Sequence, residues 1–130
     1  MAFPTSPATN ATHGVNNRVW LFNGYAWERL NDILIQNTQS VTGPTYSAQT
    51  YDYYIGVSYG ATASIILPSS PINGQIIVVK DESGRAGDPY RYIVVKGASL
   101  SDKIDNQDSA TININNGALD FIYRNGWRII

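Results

Sequence analysis

The sequence predicts an all-β protein: short antiparallel strands in a β-sandwich or β-prism-like module, with an extended N-terminal arm and an aromatic β-hairpin. Three observations predict it. Short runs rich in Ile, Val, Tyr and Trp recur along the chain, each bounded by Pro, Gly, Asn or Ser, which is the signature of strands and turns. Asn-Gly follows or divides such runs at Asn23-Gly24, Asn73-Gly74, Asn116-Gly117 and Asn125-Gly126, and this dipeptide tolerates the positive φ of tight turns. Helical spacing occurs only weakly, at Leu30, Ile33 and Leu34. That stretch has no alanine and no strong cap, and Asp32-Ile-Leu-Ile35 suits a strand equally well.

A chain of 130 residues is one domain, or one domain with a small appendage, and is long enough to bury a core without staples. Charged residues make up only 15% against 43% hydrophobic. About a quarter charged is usual for a soluble domain, so much of this surface is expected to meet something other than water. The net charge of -1 gives no basic footprint for nucleic acid and no patch for anionic lipid. No apolar run approaches the ~20 residues of a membrane span, and the first residues lack the pattern of a signal peptide. Without cysteine there is neither a disulfide framework nor a thiolate zinc site.

In chain order, Ala2 to Asn17 reads as an extended arm that needs a surface to lie on. Arg18–Phe22, Asn23-Gly24 and Tyr25–Leu30 read as a hairpin, with Trp20, Phe22, Tyr25 and Trp27 as cross-strand neighbours. A lone hairpin is marginal in water, so these four are the candidate docking residues. Ser40 to Ala48 reads as a connector, dividing an arm-plus-hairpin segment, residues 1–40, from a β-rich module, residues 45–130. Within the module, Tyr51–Val57, Ala63–Leu67, Gln75–Val79, Arg91–Lys96, Ala110–Asn115, Ala118–Tyr123 and Trp127–Ile130 read as strands. Pro68 and Pro71 fall outside strand interiors, since proline cannot donate to a ladder. Gly97 to Asp108 reads as irregular and acidic. An echo links the two ends: Val19–Trp27 and Phe121–Trp127 both run apolar, Asn-Gly, Trp.

The strands Ile76-Ile-Val-Val79 and Ile93-Val-Val95 are apolar at every position, where a half-solvated antiparallel strand would alternate. Both faces therefore require cover, and a second copy of the chain is the expected source; the alternative is a compact β-sandwich whose central strands are buried by its own loops. Ile77, Val79, Ile93, Val95 and Trp127 are the candidate interface residues.

Four segments in order, Tyr51–Val57, Ile65–Pro71, Asn73–Gly84 and Ala110–Ile114, are closed by Asn125-Gly-Trp-Arg-Ile-Ile130. Together they resemble a β module recurrent in tailed-bacteriophage fibre, spike and appendage proteins. The resemblance implies a homotrimeric virion component, assembled in the host cytoplasm, with the N-terminal arm docking on other virion proteins. The chain departs from the module's usual pattern at Ile104-Asp-Asn106, where Ile-Asp-Gly is commoner, and in the loop Gly84–Tyr90.

No enzyme chemistry is expected, and no cofactor. His13 is the one histidine and sits in the polar arm, so a Ser-His-Asp or metal-histidine constellation has nothing to build on. Asp102, Asp105 and Asp108 lack the spacing of a calcium loop and read as a solvated acidic loop. The competing function is a receptor-binding or carbohydrate-binding tip. Tyr51, Tyr53, Tyr54 and Tyr59 are concentrated, and aromatic faces with a polar rim take up sugar rings on a host-surface glycan.

Overall fold

The computed structural model describes residues 3–15 and 18–130. The protein is all-β, with no helix among the described residues, and it divides into two compact units, Met1–Asn37 and Thr38–Ile130.

The first unit is an antiparallel three-stranded sheet in the order β1 (Thr12–Val15), β2 (Arg18–Phe22), β3 (Trp27–Leu34). Part of the expected arm is thus a strand. Ala2, Asn16 and Asn17 lie outside the described residues. The hairpin forms, but its turn is longer than the two residues Asn23-Gly24. Phe22 pairs with Trp27, and the loop Asn23–Ala26 is closed by the Asn23 N–H donating to the Ala26 carbonyl at 3.0 Å. The Asn23 side chain explains the longer loop: its Oδ1 accepts the Tyr25 and Ala26 N–H groups, both at 2.9 Å, and holds an Asx turn. Tyr25 is therefore at the tip, 96% exposed, and not among the cross-strand aromatics.

The second unit stacks coils. Its strands alternate between two sheets: β4 (Thr38–Val41), β6 (Tyr54–Val57) and β8 (Ile76–Asp81) in one, β5 (Thr45–Ser47), β7 (Ala63–Ile66) and β9 (Ile93–Lys96) in the other. Each crossing and return brings the chain back in its original direction, so β4–β6–β8 and β5–β7–β9 are parallel ladders. Antiparallel strands then finish both sheets: β10 (Ser109–Ile112) on β9, and β11 (Ala118–Tyr123) with β12 (Trp127–Ile129) on β8. The sandwich expectation matches, while the strands at its centre are parallel and not antiparallel. The reason is that Thr42-Gly43-Pro44 and Ser58–Thr62 carry hairpin-like turn residues but turn the corner from one sheet to the other. Ladder bonds follow the chain round these corners: Ser58 N–H donates to the Val41 carbonyl (2.9 Å) and Ser64 N–H to the Pro44 carbonyl (2.8 Å). The expected connector Ser40–Ala48 accordingly contains the end of β4 and all of β5.

The core lies between the sheets. Strand β8 alternates strictly, with Ile77, Val79 and Asp81 inward and Ile76, Val78 and Lys80 outward; Ile93 and Val95 of β9 point inward and Val94 outward. Across the ladders Ile55 meets Val79 and Ile65 meets Val95, all fully buried. Each such side chain contributes about 1.5–3 kcal/mol of hydrophobic stabilisation. Trp127 and Phe121 are the largest fully buried side chains, with Tyr123 edge-on to Trp127 at 5.3 Å. This corrects the interface assignment. Ile77, Val79, Ile93, Val95 and Trp127 are at most 2% exposed in a single chain, because two sheets folded from one chain cover that face without help.

Candidate interaction surfaces

Register places the outward residues of the five-stranded sheet. Ile76 lies opposite Ile122, which lies opposite Arg128; Val78 lies between Tyr54 and Asp120. The Ile130 N–H donates to the Asp120 carbonyl at 2.9 Å, so Ile130 continues the same row. Ile76, Val78 and Ile122, each half-buried, thus form one apolar patch bordered by Lys80, Asp120 and Arg128, with the exposed Ile130 on the far side of Asp120. A shallow depression over Asn73, Gly74, Ile122, Arg128 and Ile130 adjoins it, and a second one reaches Ile72 through the same Asn73 and Gly74. Ile72 is 75% and Ile130 66% exposed. Asn73 and Gly74 tie this end to the β11–β12 turn: the Asn73 Oδ1 accepts the Asn125 N–H at 2.9 Å, and the Gly74 N–H donates to the Tyr123 carbonyl at 2.8 Å. Sequence reasoning chose the inward members of the apolar strands. The polar residues closing them, Lys80 outward and Asp81 inward, do not reveal which parity is wrapped.

In the first unit, Trp20 and Phe22 share a face with Trp27 and His13, since Trp20 opposes His13 and Phe22 opposes Trp27. Phe3 covers that face, its ring stacked on Trp27 at 5.3 Å and edge-on to Trp20 at 5.3 Å. Phe22 meets Trp27 at 5.6 Å. Such pairs contribute about 0.5–1.5 kcal/mol each beyond area burial. His13, expected in solvent, is a half-buried member of this cluster, 5.7 Å from the Phe3 ring. Of the four candidate docking residues, Trp20, Phe22 and Trp27 are thus brought together and Tyr25 is left out.

The four tyrosines proposed for glycan contact are in different situations. Tyr51 is 64% exposed and Tyr53 half-buried. Tyr54 donates its hydroxyl to Glu82 Oε2 at 2.9 Å; burial and this bond raise its pKa. Tyr59 packs against the core. The wall against which Glu82 lies is Gly56, where any Cβ would overlap the Glu82 carboxylate. Tyr46 is also committed: its hydroxyl donates to buried Asp52 Oδ2 at 2.7 Å, and burial followed by that bond drives its pKa up. Tyr90, which sequence reasoning passed over, is 81% exposed and sits at φ 61 in the atypical Gly84–Tyr90 loop. A left-handed aromatic residue is uncommon.

The carboxylates serve structure. Asp81 is 1% exposed. Its Oδ1 accepts the Ser83 N–H (3.0 Å) and hydroxyl (2.6 Å); its Oδ2 accepts the Ala86 and Asn116 N–H groups, both at 3.0 Å. Burial pushes its pKa up, but the bonds from Ser83, Ala86 and Asn116 outweigh that and hold it below the ordinary value. In the acidic loop, Asp102 accepts the Ser99 N–H and hydroxyl, Asp105 accepts the Ile129 N–H, and Asp108 pairs with Lys103. Among the described residues no group of three or more His, Asp or Glu side chains converges as a metal site. Asp105 (φ 47) and Asn106 (φ 65) form a left-handed turn, bridged on both sides by Ile104 and Gln107. Asn106 is of the residue type that, after glycine, adopts this conformation most readily.

No family model matches the chain, and no curated protein does. Among solved structures it is similar to a chain in "Structure of a chaperone-substrate complex", with a TM-score of 0.45 and 13% identity, over 87% of this chain and 19% of that one.

Proposed function

We propose that this protein is a structural component of a bacteriophage virion, a fibre, decoration or tail-appendage subunit, acting by homotrimer assembly and by docking on other virion proteins. The observation that carries the reading is the apolar patch of Ile76, Val78 and Ile122, all three on strands, β8 and β11, whose opposite faces fill the core. Patches of this kind, rimmed by charges of both signs, mark protein–protein contacts. Lys80 and Arg128 beside Asp120 give a copy of the chain the charges to meet its own rim. The segment order shared with the fibre module supplies the virion context. The interface assigned here is the outward one, replacing the buried residues expected from the sequence.

Light scattering of the full chain tests it, with Val78→Lys/Ile122→Lys as the variant. A wild-type trimer and a folded monomeric variant, whose unfolding midpoint no longer depends on protein concentration, are expected. A wild-type chain that stays monomeric at tens of micromolar removes the assembly reading. A monomer that also binds glycan, with binding lost in Tyr51→Ala, moves the function to a receptor-binding tip.

A further inference from the structure

The first unit keeps its own leading segment in place through a turn that disfavours the residues in it. The chain reverses at Ala8–Ala11, closed by the Ala11 N–H donating to the Ala8 carbonyl at 3.0 Å. Asn10 there adopts φ 69, and Ser6 adopts φ 51. L-residues other than glycine resist this left-handed region; Asn resists it least and Ser more. The reversal seats the Phe3 ring among Trp20, Trp27 and His13, at 5.3, 5.3 and 5.7 Å. A half-buried ring packed by three others is an anchor in an open socket. Pro4 and Pro7 stiffen the link between them. With Ser6 and Asn10 returned to extended geometry, the Phe3–Asn10 segment would run straight out from β1 for about 25 Å.

We propose that this arm is exchanged between copies: Phe3 of one chain seats among His13, Trp20 and Trp27 of another, with the Ala8–Ala11 turn as the hinge. The occupant of the socket is a second copy because the chain itself carries the complementary ring, on a tether long enough to leave home. Closed and exchanged forms make the same ring contacts, but opening the hinge gives up the Ala11 N–H bond to the Ala8 carbonyl and the Asn10 N–H bond to the Phe22 carbonyl (2.8 Å), so those bonds, hinge strain and protein concentration set the balance, as in domain swapping. The socket and hinge are separate from the sheet patch, and the exchange stands or falls independently of the virion reading.

The test uses full-length chains carrying Val78→Lys and Ile122→Lys, so that association through the sheet patch is removed. In that background Asn10→Gly suits the turn and keeps the arm home. Asn10→Val, β-branched, opposes the turn and shifts the open-to-closed ratio about tenfold. Light scattering over a dilution series is expected to show more association for Asn10→Val than for the parent, and less for Asn10→Gly. As a second readout, a Phe3→Ala chain has a socket without an anchor, and a Trp20→Leu/Trp27→Leu chain an anchor without a socket. Mixing them is expected to give a one-to-one complex by native mass spectrometry. Identical masses for Asn10→Gly, Asn10→Val and parent at every concentration overturn the proposal, whatever the mixing experiment gives.

Discussion

Asp81→Asn is the sharpest test of what holds the second unit together. The carboxylate ends the inward row Val41, Val57, Asp81 and ties three segments: its own strand end, the β8–β9 loop at Ser83 and Ala86, and the β10–β11 turn at Asn116. Both oxygens accept two hydrogen bonds each. An amide offers one acceptor oxygen, so its NH2 must face either the Ser83 donors or the Ala86 and Asn116 N–H groups. Two bonds to a charged acceptor are lost, each contributing about 1.5–3 kcal/mol, and buried donors are left opposed. The expected loss at pH 7 is on the order of 3–5 kcal/mol. The sign of the pH dependence follows from the depressed pKa. The stabilisation is full above the unfolded carboxyl pKa of about 3.9 and is lost as pH falls through the lower folded value. Wild-type stability should therefore drop more steeply below pH 4 than that of Asp81→Asn, and the two should converge in acid. Urea unfolding in a Trp20→Phe/Trp27→Phe background, where Trp127 alone reports, measures both quantities. A penalty under about 1 kcal/mol at pH 7, or parallel pH profiles, would refute the assignment of Asp81 as the tie between these loops.

Parity along β8 gives a paired prediction. Ile77→Ala should cost about 2–5 kcal/mol as a core cavity, whereas Ile76→Ala should stay within ~1 kcal/mol in the dissociated chain and weaken self-association instead, both read by urea unfolding and light scattering. Gly97→Ala should destabilise by several kcal/mol, because its Cβ would overlap the Asp102 carbonyl and backbone cannot yield cheaply; amide exchange in residues 97–108 locates the damage. Gly56→Ala meets only the end of the Glu82 side chain, so it should cost about 1 kcal/mol or less while freeing the Tyr54 hydroxyl. Spectrophotometric titration should then show Tyr54 ionising nearer its ordinary pKa, as it should in Glu82→Gln.

Strand identity was legible because it is local. Ile, Val and Tyr runs between turn residues form strands wherever they are placed, and the Asn-Gly sites at Asn73, Asn116 and Asn125 all fall between strands. The echo between the two hairpins is legible in the same way: Phe22–Trp27 and Tyr123–Trp127 both close a turn with an aromatic pair. Strand direction was not legible. Thr42-Gly43-Pro44 supplies the same backbone freedom to a hairpin as to a corner. What decides is whether the next strand finds its hydrogen bonds beside the last one or across the core, which depends on residues far along the chain. Asp81 reads from the sequence as a surface ion-pair residue, and its buried role is hidden for a related reason. Its partners Ala86 and Asn116 are remote or featureless in sequence, and a carboxylate in Lys-Asp-Glu-Ser reads as a solvated turn.

The same ambiguity bears on assembly. A run such as Ile76-Ile-Val-Val79 says that both faces of a strand are covered without saying by what. The stacked coils answer half of that, since β7 and β9 lie across the core from β6 and β8 and bury Ile77 and Val79. A monomer with a solvated outer sheet has no use for Ile76, Val78 and Ile122 in adjacent rows. Thr, Lys or Glu would serve there at lower risk of edge and face aggregation. Retaining them beside Asp120 and Arg128 makes sense if another surface covers them. If Val78→Lys/Ile122→Lys leaves both mass and solubility unchanged, that cover does not exist.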